Sequence, residues 1–263
     1  MNRHYRMIAL VAAVITFIHG PFFISETHAQ KRVEGHVKAD LVSHYWWRGM
    51  DLGGVSIQPA ASIGWQGFKL GVDGSTGIES TDRREIHLSL GYNFSGVNIG
   101  VIDHWNNSVD PDHRYFYYNE KKSGHLYEAN LGYTCKYFSL QGYTIFWGND
   151  YKISGDQAYS TYIELDIPFM LGGVYWDIKA GISPFESAGY QTETETEAGL
   201  DYTYKTYHQY YYYGGGFSCV MASLRATKNL DLGFTEIPVF AEFHTNPYMR
   251  KADLLLGITI NPF

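Results

Sequence analysis

Along the whole chain after residue 35, apolar residues alternate with polar or small ones at a period of two, and no helical period persists anywhere. In "EIHLSLGYNF" the apolar set is Ile86, Leu88, Leu90, Tyr92 and Phe94, against Glu85, His87, Ser89, Gly91 and Asn93. "FKLGVDGS", "YSTYIELDIPF" and "VYWDIKAGI" divide in the same way. Such a pattern makes strands with one greasy face and excludes helical packing. The alternation predicts about twelve strands, over 36–48, 55–65, 68–78, 84–94, 97–106, 124–134, 137–148, 158–169, 173–183, 214–225, 234–245 and 251–262.

The links between these strands alternate in length. Gln66-Gly67, Ser95-Gly96, Cys135-Lys136 and Leu171-Gly172 read as two-residue hairpin turns, whereas 107–123 and 184–213 are long. Short turns at one end and long loops at the other are the rule of an outer-membrane β-barrel, with the turns periplasmic and the loops extracellular. A secreted β-sandwich also alternates. Its polar faces, however, meet water and would be rich in Lys, Glu and Thr. Here the polar faces carry glycine, serine and tyrosine, and the apolar faces end in aromatics, which make up 17% of the chain. The expected fold is all-β, a single antiparallel transmembrane barrel. Trp65, Phe68, Tyr92, Phe94, Phe169 and Trp176 are the expected membrane-interface aromatics, together with Tyr45 and Trp47.

The first strand carries three aromatics in succession, "SHYWWRGMDLGG", from 43 to 54. Continued alternation sends Val37, Ala39, Leu41, Tyr45 and Trp47 to lipid, and Lys38, Asp40, His44 and Arg48 to the lumen. This stretch resembles the opening strand of the TorF family of porin-like Gram-negative outer-membrane proteins, whose first strand similarly reads S-x-Y-x-W-R-G. "DQAYSTYIELDI" and "NPYMRKADLLLGITI" are similar to later strands of that family. The resemblance spans most of the chain after residue 30. It implies a barrel with a pore and supplies no catalytic residues.

Residues 1–29 read as a cleaved signal peptide: Arg3 and Arg6, the apolar run Met7 to Ile18, and Thr27-His28-Ala29 at the cleavage point. The barrel domain is then 30–263, exported to the outer membrane, where lipid, lipopolysaccharide and the barrel-assembly machinery are the expected partners. A net charge of −7 argues against nucleic acid. Two cysteines, Cys135 and Cys219, do not make a disulfide scaffold, and their placement at opposite ends of the barrel predicts free thiols. The terminal Phe263 is typical of barrels, although the alternation of Leu254, Leu256, Ile258 and Ile260 leaves it on the opposite face.

Turn positions also predict which residues face each other across strands. Around Ser95-Gly96, His87 meets His104; around Leu171-Gly172, Glu164 meets Lys179 and Asp166 meets Asp177. Two imidazoles could bind a metal or sense pH, but no carboxylate or cysteine is spaced to complete a shell, so no metal or cofactor is expected. Paired carboxylates also serve retaining glycosidases, which need a sugar cleft that a narrow barrel does not offer. A lipid-acting enzyme needs serine and histidine on the outer surface. His44, His87, His104 and His244 point inward, so catalysis is not expected.

The expected function is passive diffusion of small hydrophilic solutes or ions through a narrow pore lined by Asp40, His44, Arg48, Asp73, Glu85, His87, His104, Glu128, Glu164, Asp166, Asp177, Lys179 and Glu242. Inward acids, with Asp253 added, outnumber the bases Lys38, Arg48, Lys69, Lys179 and Arg225, which predicts weak cation selectivity with Asp166 and Asp177 as filter. The alternative is a closed barrel with a structural or surface-interaction role, its lumen filled by Tyr143, Trp147, Tyr162 and Tyr175. The acidic, tyrosine-rich segment 193–213 reads equally as an adhesive loop, a ligand platform, a cation-binding loop among lipopolysaccharide headgroups or an upward extension of a strand.

Overall fold

The computed structural model describes residues 33–79, 82–197, 203–233 and 235–261. The signal-peptide reading and the position of Phe263 lie outside them. The barrel strands are β1 (Glu34–Val42), β4 (Ser56–Trp65), β5 (Phe68–Gly77), β6 (Arg84–Phe94), β7 (Val97–Asn106), β8 (His125–Thr134), β9 (Ser139–Gly148), β10 (Thr161–Leu171), β11 (Val174–Ser183), β14 (Ser218–Asp231), β15 (Glu236–Asn246) and β16 (Lys251–Ile260). These twelve close into one antiparallel barrel, in which β1 pairs with both β4 and β16. Closure removes the exposed edges that an open sheet would present. Two further hairpins stand apart from the wall: β2 (Tyr45–Trp47) with β3 (Met50–Gly53), and β12 (Gly189–Glu197) with β13 (Thr203–Tyr211).

One end of the barrel has tight turns and the other has most of the long loops. At Gln66-Gly67 and Ser95-Gly96 both central residues have positive φ, between 50° and 87°, the geometry that matches strand twist in a two-residue hairpin. Outside the barrel, Val37, Leu41, Ile63, Leu70, Leu90, Leu131, Leu165, Ile178, Leu224 and Leu256 are exposed. Half-exposed as they are, each would forgo roughly 1 kcal/mol of apolar burial in water, and because they lie side by side around the whole barrel an apolar surround is what this surface fits. Trp65, Phe68, Tyr92 and Phe94 gather near the short-turn end, Phe68 and Tyr92 with ring centroids 4.7 Å apart, and Phe169 stacks on Trp176 at 6.3 Å.

Register corrects three expectations. The β10–β11 turn falls on Gly172-Gly173, with φ of 63° and 71°, and not on Leu171-Gly172, because two glycines together satisfy both positive angles. Asp166 therefore pairs with Lys179, Glu164 with Gly181, and Asp177 with Pro168. The expected Asp166–Asp177 and Glu164–Lys179 pairs do not form. A bulge between Tyr127 and Glu128 reverses the parity of upper β9, so Trp147 pairs with Tyr127 on the outer face and cannot fill the lumen. The β8–β9 turn is centred on Lys136-Tyr137, closed by Cys135 N–H to Phe138 O at 2.9 Å, rather than on Cys135-Lys136. Cys135 and Cys219 are free thiols.

The loop 107–124 folds against the outer wall. Trp105 Nε1 donates to Arg114 O at 3.3 Å, and His125 Nε2 lies 2.6 Å from Tyr115 O. Within the loop the Arg114 guanidinium forks onto Asp110, with Nε 2.9 Å from Oδ2 and Nη2 3.0 Å from Oδ1. That fork, helped by the amides of Arg114 and Asp112, holds the Asp110 carboxyl down at about 2. Since this lies below the unfolded value of about 4, the contribution is complete above pH ~4 and is lost as pH falls toward 2. Hydrogen exchange across 107–124, corrected for intrinsic rate, is expected to accelerate as pH falls from about 4 toward 2. In Asp110→Asn that acceleration should be absent; an equally pH-dependent variant would contradict the assignment.

Candidate functional site: a hairpin seated in the lumen

The three aromatics of "SHYWWRGMDLGG" do not continue the first strand. β1 stops at Val42, where Ser43 N–H donates to Leu256 O at 2.8 Å and Leu256 N–H returns to Ser43 Oγ at 2.9 Å. The chain then turns into the lumen as the β2–β3 hairpin, which buries Tyr45, Arg48 and Met50. Its tip is Arg48-Gly49, with φ of 49° and 81°: another two-residue turn, here with arginine in a conformation glycine or asparagine would ordinarily take. Holding arginine there costs roughly 1–3 kcal/mol, which its contacts must exceed. Tyr45 and Trp47 are thus lumen residues, not lipid anchors. A bilayer and a lumen both accept aromatic rings, and composition alone does not distinguish them.

Arg48 is the centre of the site. Its Nη1 and Nη2 donate to the two carboxylate oxygens of Glu128 at 2.6 and 2.9 Å, and Nη1 also donates to the Tyr213 hydroxyl at 2.9 Å. The guanidinium carbon lies 4.0 Å from the centre of the Tyr143 ring, 4.4 Å from that of Trp47 and 5.0 Å from that of Tyr162. Glu128 and Tyr162 are wholly buried, at 0% exposure. A forked, desolvated pair sandwiched by rings is the arrangement in which arginine binds most strongly. Beside it, His104 Nε2 lies 3.0 Å from Glu128 Oε2, and His87 packs edge-on to His104 with ring centroids 4.6 Å apart. His87 Nδ1 reaches Asp73 at 3.0 Å, while Tyr45 and Arg83 both donate to Glu85.

Backbone fit adds to charge. Asn246 Nδ2 donates to Gly49 O at 2.9 Å, and a Cβ on Gly49 would stand 1.8 Å from Val220 O. Only glycine can close the tip against β14. Met50, Ile102, Tyr143, Tyr162, Tyr213, Val220 and Met221 form the apolar cluster around it, with Trp47, Leu52 and Tyr212 packed on its margin.

Of the expected pore residues, Asp40, Asp73, Glu85, His87, His104, Glu128, Glu164, Asp166, Asp177, Lys179 and Glu242 stand on the inner face of the wall. His44 and Arg48 enter from the loop instead; His44 Nε2 is 2.8 Å from Asp51 and its Nδ1 is 3.6 Å from Asp253. Toward the short-turn end acids and bases interleave: Lys38 to Asp40 at 2.7 Å, Lys179 to Asp166 at 3.7 Å and Arg225 to Glu242 at 3.9 Å. Sequence reasoning missed Tyr213, Asn246 and the role of Gly49. The Arg48-Gly49 and Gly53-Gly54 pairs, which mark turns, were the available signal.

His125, whose face the alternation did not assign, points outward with Nδ1 2.8 Å from Asp103 Oδ1. An aspartate–histidine pair is two members of a hydrolytic triad. Here the other nitrogen meets the Tyr115 carbonyl, and no hydroxyl bonds to either nitrogen among the described residues. The pair clamps the loop. Among the described residues no three His, Cys, Asp or Glu side chains are placed to hold a metal ion together.

Fold and site together define a closed twelve-stranded barrel with an apolar exterior and a polar interior into which its own first loop folds. Among solved structures the chain is similar to the NanC porin, at 12% identity and a TM-score of 0.43, over 87% of this chain and 98% of that one. It is also similar to the β domain of the Bordetella autotransporter BrkA, at 9% identity and a TM-score of 0.25, over 86% and 98%. No family model and no curated protein matches the sequence.

Proposed function

We propose that the protein is an outer-membrane channel for small hydrophilic solutes, weakly cation-selective, held shut by the β2–β3 hairpin. The motif resemblance to the TorF family points the same way. The observation that carries the reading is the inner wall below the hairpin, where Asp166, Lys179 and Arg225 keep about a quarter to a third of their side-chain surface exposed inside an apolar shell. Ionised groups in such numbers need water, and a water-filled lumen through a membrane is a path. Long loops then face outward, where loop 107–124 and hairpin β12–β13 meet lipopolysaccharide. Acids exceed bases on the inner wall, and that net negative charge favours cations without the Asp166–Asp177 pair.

The test is planar-bilayer recording of the purified barrel in a potassium chloride gradient. Brief, infrequent openings with a reversal potential displaced toward that of potassium are expected, the displacement shrinking as salt shortens the Debye length. The buried Arg48–Glu128 clamp favours a second reading, a permanently closed barrel with a structural or surface role. Silence that persists after the hairpin is released would establish that reading.

A further inference from the structure

The shape of the stopper says what else could occupy its seat. Everything that grips the Arg48 guanidinium, apart from Trp47, belongs to the barrel wall or to another loop: Glu128 on β8, Tyr143 on β9, Tyr162 on β10 and Tyr213 before β14. Withdrawal of the hairpin would leave a carboxylate facing inward between tyrosine rings, with nothing of the cage itself removed. The grip is confined to the end of the side chain. Both terminal nitrogens are bonded, whereas Nε, buried alongside, has no acceptor among the described residues. An alkylguanidinium carries that same planar end, and it lacks the left-handed backbone that Arg48 must adopt. On the inner face of β10, Asp166 and then Glu164 step up toward the cage, with Lys179 3.7 Å from Asp166.

We propose that the Glu128–Tyr143–Tyr162–Tyr213 cage is a binding site for small guanidinium-bearing solutes, and that Arg48 is a built-in occupant which such a solute displaces to open the barrel. The opening step rests on the channel reading; the binding site does not. Arg48 here acts as an intramolecular ligand. A bidentate carboxylate selects the planar fork over a compact ammonium, and the ring faces favour a weakly hydrated cation over sodium. A solute of this class would therefore reach its site only by competing with the hairpin, which keeps the path shut in its absence.

Chemical rescue tests the site. Arg48→Ala empties the cage, and ethylguanidinium chloride at millimolar concentration, well below denaturing levels, supplies the missing group. The unfolding midpoint of the Arg48→Ala barrel, followed by heat-dependent gel mobility, is expected to rise saturably, by roughly 3–6 °C at ten times the apparent dissociation constant. Sodium chloride and urea at the same concentrations should not reproduce the rise, and Arg48→Ala/Glu128→Gln should lose it. If Arg48→Ala fails to assemble, the wild-type barrel carries the test: ethylguanidinium should speed hydrogen exchange in residues 45–53, and sodium should not. A barrel that responds to ethylguanidinium no more than to sodium in these assays overturns the proposal. Rescue with no conductance even when the hairpin is released would uphold the site and refute the channel; conductance without rescue or accelerated exchange would uphold the channel and refute the site.

Discussion

Glu128→Leu is expected to convert a shut barrel into a conducting one. In this variant Arg48 is left buried without its carboxylate, and breaking a buried ion pair from one side costs about 3–5 kcal/mol, because the remaining charge is uncompensated. The cation regains hydration only by leaving the cage, and the hairpin tip that carries it must be drawn out with it. A change of that size shifts the balance between seated and released hairpin by about 100-fold or more. Open probability in planar bilayers should rise accordingly, while the barrel itself, whose twelve strands are joined by wall hydrogen bonds, should still assemble. The double variant Arg48→Met/Glu128→Leu removes both charges and leaves apolar side chains among the rings. It should be shut much as the wild type is, since paired replacement of a buried ion pair by apolar groups is commonly neutral or stabilising. A Glu128→Leu barrel as quiet as wild type would mean that the pair does not hold the hairpin.

Gly49→Val should open the barrel with every charge in place. Gly49 has φ of 81°, and a Cβ there would lie 1.8 Å from the Val220 carbonyl oxygen, a contact with backbone that no rotamer relieves. The left-handed conformation costs a β-branched residue roughly 1–2 kcal/mol, and overpacking adds about 1–3 kcal/mol. The tip can escape both only by backing away from β14, which would also break the Asn246 to Gly49 bond of 2.9 Å. Faster hydrogen exchange of residues 45–53 and increased conductance are expected together. Increased conductance with unchanged exchange would separate the gate from the hairpin.

Most of the barrel was legible because its determinants are local. Alternation marks a strand wherever one face meets lipid, and Ser95-Gly96 could be read as a turn, which placed His87 opposite His104 as observed. Legibility failed where two local readings fit equally well. Leu171-Gly172 and Gly172-Gly173 are both plausible turns, and the choice moves every β10–β11 partner by two residues. The extra residue at the Tyr127/Glu128 bulge has no composition of its own, yet it reverses the face of Trp147.

The hairpin was hidden for a different reason. A run of aromatics reports that an apolar neighbour is needed and does not say which one. Parity correctly sent Arg48 to the lumen but attached it to a strand that had already ended at Val42. What places it is long-range: Glu128 lies eighty residues away along the chain and Tyr213 one hundred and sixty-five. No window of sequence contains the cage.

The seat of Arg48 is also the quantity to measure. Solid-state NMR on the bilayer-embedded wild-type barrel, with guanidinium nitrogens and carboxyl carbons labelled, reports dipolar coupling between Arg48 and Glu128 directly. The hydrogen bonds of 2.6 and 2.9 Å require strong coupling from both terminal nitrogens of Arg48 to the Glu128 carboxyl carbon, lost in Glu128→Leu. An Arg48 signal that is mobile and uncoupled to Glu128 in the wild-type barrel would place the hairpin outside the lumen and contradict the account at its centre.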